Sequence, residues 1–244
     1  MPPLSETVVQ ARPPQLRNAA HRGCCPALWP AAALALLMAG SLPLSAGAVA
    51  PVPRVAYWGA ESPSADARTV GDWAFRSGDH GQRAVVVVDK KDAKVYVFDR
   101  DGRLQSAAPA LLGSAIGDHT VPGIGDKPLS QVLPAERTTP AGRFVAEPGV
   151  NASGEDVVWV DYDAAVSMHR VRAKVKSERR LERLASQTPA DNRISFGCIN
   201  LPVAFYEKVL SPAVRRTGAV VYVLPETQPA AQFFGIQGGA GASR

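Results

Sequence analysis

The residues in this chain best suited to do chemistry lie in Arg193-Ile194-Ser195-Phe196-Gly197-Cys198-Ile199-Asn200-Leu201-Pro202. A cysteine follows a serine and a glycine and stands shortly before a proline suited to a first helical position. An ordinary thiol has a pKa near 8.5, so only a few per cent is thiolate at neutral pH. A nucleophilic Cys198 therefore needs help from its surroundings. One source is the backbone N–H groups of a helix beginning near Pro202, whose dipole would favour the thiolate. The other is a histidine within hydrogen-bond reach, able to take the proton. Past the first fifty residues the chain carries His80, His119 and His169. His80 sits in a Ser-Gly-Asp-His-Gly turn and His119 in a Gly/Pro-rich loop. His169 ends an apolar segment in the same half of the chain as Cys198 and is the best candidate base. The backbone N–H groups of Gly197 and Cys198 would then form an oxyanion hole, glycine letting the chain approach a carbonyl closely.

The cysteine count sharpens this reading. The chain has 244 residues and three cysteines. Cys24 and Cys25 fall in an N-terminal stretch with the layout of a secretory signal. Arg12, Arg17 and Arg22 come first, then the apolar run from Ala31 to Gly40. Small residues at Ala46-Gly47-Ala48 and Ala48-Val49-Ala50 then suit a signal peptidase. The competing reading is a membrane anchor, but a span needs roughly 20 apolar residues and this run is broken by Pro30, Ser41 and Pro43. Residues 1–50 are expected to leave as a signal peptide, which exports the protein to the periplasm or cell envelope without a stable membrane span. Cys198 then has no partner for an internal disulfide, so it is a free reactive group or a link to another chain. The formal charge of +5 suits an anionic surface, yet solubility alone explains so mild an excess. Nothing indicates nucleic acid as a partner, and no Cys/His spacing suggests a metal or other cofactor. Oligomeric state is not legible.

The elements that must position these residues are mainly β. Residues 51–82 read as a linker containing a short helix over Ala65–Phe75. Arg83–Asp89 is a continuous valine-rich strand, and Lys94–Asp99 alternates as a second strand after a tight turn. Gly113–Pro140 is rich in Gly, Pro, Asp and Ser, a long ordered loop expected to wall a cleft. Thr139–Val145 feeds a strand, Asp156–Tyr162 and Val166–His169 are two more, and Thr217–Leu224 is the last. Arg172–Ser186 reads as a charged helix and Val203–Leu210 as a second short one. Residues 226–244 read as a flexible tail. Hairpin-like connections predict mostly antiparallel pairing, and the lack of βαβ alternation argues against a Rossmann-type sheet.

Ser195-Phe196-Gly197-Cys198-Ile199-Asn200 resembles the nucleophile motif of L,D-transpeptidase catalytic domains of the YkuD type, which usually reads Ser/Thr-His-Gly-Cys, an apolar residue, then Asn or Arg. His169 matches the family's upstream histidine, and Thr139-Pro140-Ala141-Gly142-Arg143-Phe144 resembles its Thr-Pro-x-Gly-x-Phe segment. The resemblance runs from Arg83 to Leu224 and implies a YkuD-like β-sandwich or barrel with a few short helices over residues 83–225. It further implies an acyl transferase acting on peptidoglycan tetrapeptide stems, with Cys198 as nucleophile, His169 as acid and base, and Gly197 in the oxyanion hole. Arg193, Ser195 and Asn200 would shape the site or bind the stem peptide; Asn200 alternatively caps the following helix.

Two departures stand out. Phe196 occupies the place of the motif histidine. The interval of 29 positions from His169 to Cys198 (198 − 169) exceeds the family's usual one, the excess being the charged segment. That insertion reads first as a solvated surface helix and alternatively as a basic lid in which Arg179, Arg180 and Arg183 hold carboxylates. The rival functions are an L,D-carboxypeptidase using water as acceptor and a non-catalytic envelope-binding protein. A papain-like protease is disfavoured because its cysteine precedes its histidine.

Overall fold

Two valine-rich strands, one from each end of the folded chain, form the centre of the sheet. The structure is a computed structural model describing residues 55–237. The expected signal peptide over 1–50, with Cys24 and Cys25, lies outside the described residues, as do residues 51–54 and 238–244. Strand β1 (Ala84–Asp89) pairs with β2 (Lys94–Phe98), which pairs with β3 (Leu104–Pro109); β4 (Leu112–Gly113) follows. Then come β5 (Gly142–Val150), β6 (Asp156–Asp161), β7 (Val166–Arg170), β8 (Arg193–Ser195), β9 (Ile199–Leu201) and β10 (Ala219–Val223). Eight strands join in the order β3-β2-β1-β10-β5-β6-β7-β9, while β4 and β8 make a separate pair. The edges β3 and β9 nearly meet, because Leu111, just beyond β3, exchanges two 2.9 Å backbone hydrogen bonds with Asn200 of β9. The fold is thus mainly β, an eight-stranded, nearly closed sheet with short helices. Pairing is mixed: hairpin neighbours are antiparallel as expected, but β1–β10, β7–β9 and β4–β8 are parallel.

The continuous valine run of β1 has a simple cause. Its two faces meet two different cores, so no position can be polar. Val86 and Val88 join Val95, Val97, Val221, Val223, Met168 and Ile199 on one side. Val85 and Val87 join Tyr96, Phe98, Val220 and Tyr222 on the other.

That second core also takes in residues expected to lie outside the domain. Helix α1 (Ala65–Ser77) begins where the Ser64 hydroxyl accepts the Ala67 N–H at 3.1 Å, and ends at the left-handed Gly78. It buries Ala67, Val70 and Ala74, an i, i+3, i+7 stripe, along with Trp58 and Phe75. Helix α2 (Arg180–Ala185) lies in the charged segment between β7 and β8. Helices α3 (Val203–Phe205) and α4 (Ser211–Thr217) are joined by a π-helical turn over Tyr206–Leu210, so the run is helical well past the expected Leu210. After β10, helix α5 (Ala230–Phe233) buries Ala230, and Phe234 and Ile236 pack against the same core. The segments expected as linker and tail are therefore packed onto the sheet where they are described. Their apolar residues are spaced for one helical face or scattered among Pro and Gly, which hides them in composition.

Candidate active site

Strand register brings Cys198 and His169 together. β7 runs parallel to β9 with Met168 opposite Ile199 and His169 opposite Asn200. Side chains alternate along a strand, so Met168 and Ile199 enter the core, while Ser167, His169, Cys198 and Asn200 line a cleft of about 450 Å³. The histidine side chain hydrogen-bonds the thiol. Its Nδ1 lies 2.8 Å from the Arg170 carbonyl oxygen. A carbonyl only accepts, so Nδ1 carries the proton and Nε2 is left as the basic nitrogen facing sulfur.

Ser167 is a member of the site that sequence reasoning missed. Its hydroxyl lies 3.7 Å from Cys198 Sγ, and its backbone N–H also supports the thiolate. The available signal was its position two residues before His169 on one strand, which puts both side chains on one face. Burial pushes the Cys198 thiol up, but the hydrogen bond and charge of His169, followed by the Ser167 amide and hydroxyl, outweigh it. The net effect holds the thiol below its ordinary pKa. The thiol also faces the Ala165 carbonyl at 3.5 Å.

The helix dipole contributes less than expected. Strand β9, Ile199–Leu201, separates Cys198 from the helical run, whose first residue is Val203. Three extended residues span about 10 Å, whereas the dipole effect falls off within a turn.

The oxyanion expectation also changes. The Gly197 N–H is donated to the Ser195 hydroxyl at 3.1 Å, and that hydroxyl donates to the Cys198 carbonyl at 2.6 Å. Ser195 thereby braces the nucleophile turn, and Gly197 has no N–H to offer. The Cys198 N–H has no partner among the described residues and remains the available donor. Gly197 is needed for shape: its φ is +137°, and a Cβ there would lie 2.8 Å from the Thr138 carbonyl oxygen.

Of the other expected residues, Asn200 lines the cleft. It does not cap the helix, whose N-cap is Pro202. Its Nδ2 donates to the Cys198 carbonyl at 3.3 Å, and its Oδ1 accepts from Arg180 at 2.8 Å. Arg193 is not part of the cleft lining; it donates to the Lys90 carbonyl at 2.9 Å and pairs with Glu226. Phe196 lines the cleft with the Arg137 guanidinium stacked 4.2 Å from its ring centroid. His80 is buried between the carbonyls of Ala74 and Arg100, and His119 is exposed.

The Gly113–Pro140 loop walls the cleft with Ile124–Leu129 and Val132. The charged insertion is helical only over Arg180–Ala185, with a single 3-10 turn at Lys176–Glu178. Val175 and Leu181 are exposed, and Leu184 is the insertion's one buried apolar anchor, against Leu111 and Val171. One anchor cannot stabilise a longer helix. Of the three lid arginines, Arg179 is exposed and Arg183 is tied to the carbonyls of Glu178 and Asp191. Arg180 is buried and lines the cleft.

No family model matches the chain, and no curated protein matches it. Among solved structures it is similar to a mutant Enterococcus faecium L,D-transpeptidase: 15% identity, 58% of this chain and 50% of that one, TM-score 0.36. It is also similar to the helical cell shape determining protein of Campylobacter jejuni: 16% identity, 60% of this chain and 49% of that one, TM-score 0.38. A third is L,D-transpeptidase 1 of Mycobacterium tuberculosis: 16% identity, 58% and 61% coverage, TM-score 0.32. The chain spans about half the length of the first two of these structures.

Proposed function

We propose that the protein is a cysteine-dependent L,D-transpeptidase of the cell envelope, acting on peptidoglycan tetrapeptide stems. The observation that carries this reading is the cleft dyad: a thiol hydrogen-bonded to a histidine whose other nitrogen is fixed by the Arg170 carbonyl. A dyad with its base oriented by a third group is the arrangement nucleophilic catalysis requires. The motif around Cys198 narrows the substrate to the stem peptide.

In the reaction, His169 Nε2 takes the thiol proton and Sγ attacks the carbonyl of the third stem residue. The oxyanion of the tetrahedral intermediate is held by the Cys198 N–H. The bond to the terminal D-alanine breaks, and the histidine returns its proton to the departing amine. The resulting thioester is attacked by the side-chain amine of a neighbouring stem, which gives up its proton to His169. A 3→3 cross-link forms, and Cys198 leaves as a thiolate to be reprotonated.

The test is mass spectrometry of disaccharide-tetrapeptide incubated with the protein beside Cys198→Ala. A cysteine-dependent dimer lacking one D-alanine is expected. Tripeptide alone would reassign the protein as a carboxypeptidase, with water as acceptor. Unchanged tetrapeptide without an adduct on Cys198 would leave the envelope-binding role.

A further inference from the structure

Arg180 holds an unusual position for a residue in a charged insertion: buried, yet on the wall of the reactive cleft. Its Nε donates to Glu178 at 2.6 Å and its Nη1 to Asn200 at 2.8 Å. Nη2 has no partner among the described residues, and it is not one of the enclosed unpaired atoms, so solvent in the cleft reaches it. Glu178 offsets part of the cost of burying the cation. Asn200 ties the guanidinium to the nucleophile, since its own amide donates to the Cys198 carbonyl. The neighbouring cations are more committed: Arg172 pairs with Glu155, and Lys127 pairs with Glu136 at 2.6 Å. Asp126 is an exposed acid in the lining of the same cleft.

We infer that Arg180 is the carboxylate-recognising residue of this cleft, which therefore selects acyl donors bearing a carboxylate within one residue of the scissile carbonyl. The inference rests on the acyl-transfer reading above and specifies its donor. Distances agree with it. Asn200 follows Cys198 by two extended residues, about 7 Å, so the guanidinium lies on the order of 7–10 Å from sulfur. A thiolate poised about 3.3 Å from a carbonyl carbon leaves a carboxylate one residue further on, another 3–4 Å by bond lengths, within hydrogen-bond reach of such a group. Arginine's planar fork suits a carboxylate better than lysine's point charge does. Two carboxylates of a stem donor have this chemistry, the terminal one on the departing residue and one on the third residue's side chain.

The site itself is tested without stem peptide. Cys198 in the full-length protein is alkylated with iodoacetate and with iodoacetamide, which differ in charge but attack the same thiolate. Arg180→Gln should lower the iodoacetate-to-iodoacetamide rate ratio about tenfold, and Arg180→Lys should recover part of it. An unchanged ratio in folded Arg180→Gln overturns the inference. Because Arg180 is buried, a measurement on the unaltered protein runs beside it: D-alanine should slow iodoacetamide labelling, whereas D-alaninamide should not. Equal protection by both, or by neither, also overturns it. The source is then separated with tetrapeptide donors. A higher KM for the C-terminal amide assigns the terminal carboxylate. A higher KM only on amidation of the third residue assigns the side chain. Equal KM for all three donors rejects carboxylate selection. If no donor turns over while the reagent ratio still depends on Arg180, it is the transpeptidase reading that fails and the anion site that stands.

Discussion

The two sides of the nucleophile turn are built on opposite principles. Behind it lies a buried charge cluster in which the groups are satisfied. Lys90 Nζ donates to Asp118 at 2.8 Å, the Gly117 carbonyl at 2.6 Å and the Thr139 carbonyl at 2.9 Å. Asp118 also accepts the N–H groups of Glu226 and Thr227 at 2.7 and 3.0 Å, and Glu226 pairs with Arg193. In front, facing the cleft, two donors have no partner among the described residues, the Cys198 N–H and the Arg180 Nη2, beside a thiol–histidine pair that a substrate can reach. Buried polar groups are costly unless fully paired. The rear network therefore has one stable arrangement and can hold the turn still, while the front keeps the unmatched groups that a substrate would complete. The Thr139 hydroxyl joins the two sides, accepting the Gly113 N–H at 2.9 Å and donating to the Gly197 carbonyl at 2.8 Å.

If the rear is a fixed scaffold, breaking it should produce the largest loss of stability. Lys90 and Asp118 have side chains 0% and 1% exposed. Lys90→Met removes one partner and strands the Asp118 charge, a change expected to cost about 3–5 kcal/mol. Chemical denaturation of the protein measures it. A loss below about 1 kcal/mol would mean the cluster is relaxed by water and the contrast with the front is false.

The next effect is visible in acid. Burial pushes Asp118 up, but the Lys90 ammonium, the Thr227 hydroxyl and the two backbone amides outweigh it and hold the carboxyl well below the usual carboxylate range. A depressed folded-state pKa contributes stability that is complete above the unfolded value, about 3.9, and is lost as pH falls towards the folded value. Stability should therefore decline from about pH 5 downward, and Asp118→Asn should make that decline shallower even though the variant is less stable at neutral pH. Parallel pH profiles for the two proteins would remove Asp118 from the scaffold.

This contrast was only half legible in the sequence. The front announced itself because its chemistry is local: Cys198 and Gly197 are adjacent, and His169 closes a strand with an apolar face. The long valine and aromatic runs behind β1, β2, β6, β7 and β10 were equally plain. The rear was not, because its pairs join residues 28 and 33 positions apart or more, and nothing in Lys90-Lys91-Asp92-Ala93 separates the buried lysine from the exposed one. The same blindness assigned Arg193 to the substrate, although β8 turns it towards Glu226. It assigned Gly197 to the oxyanion, although the Ser195 hydroxyl takes its N–H. Strands β8 and β9 span three residues each, too short for periodicity to register. Arg180 could be placed in the cleft only through a contact with Asn200, 20 positions away.

The smallest predicted effect tests the link between the two sides. Thr139 is fully buried, and Val is close to it in shape, so Thr139→Val removes a hydroxyl while leaving packing nearly intact. Two buried groups, the Gly113 N–H and the Gly197 carbonyl, would then lack a partner, each costing about 1–3 kcal/mol before relaxation. Relaxation of the Gly197 loop should bring the total to about 2 kcal/mol, a fall in Tm of roughly 4–8 °C. A second readout separates bracing from mere stability. If Thr139 holds the turn in register with His169, iodoacetamide labelling of Cys198 at neutral pH should slow severalfold in Thr139→Val, and its pH midpoint should move up towards that of an ordinary thiol. Thr139→Ser keeps the hydroxyl and should restore both. Lower stability with an unchanged labelling profile would show that the rear network holds the fold but not the nucleophile. The thiol's depressed pKa would then depend on the β7–β9 register alone.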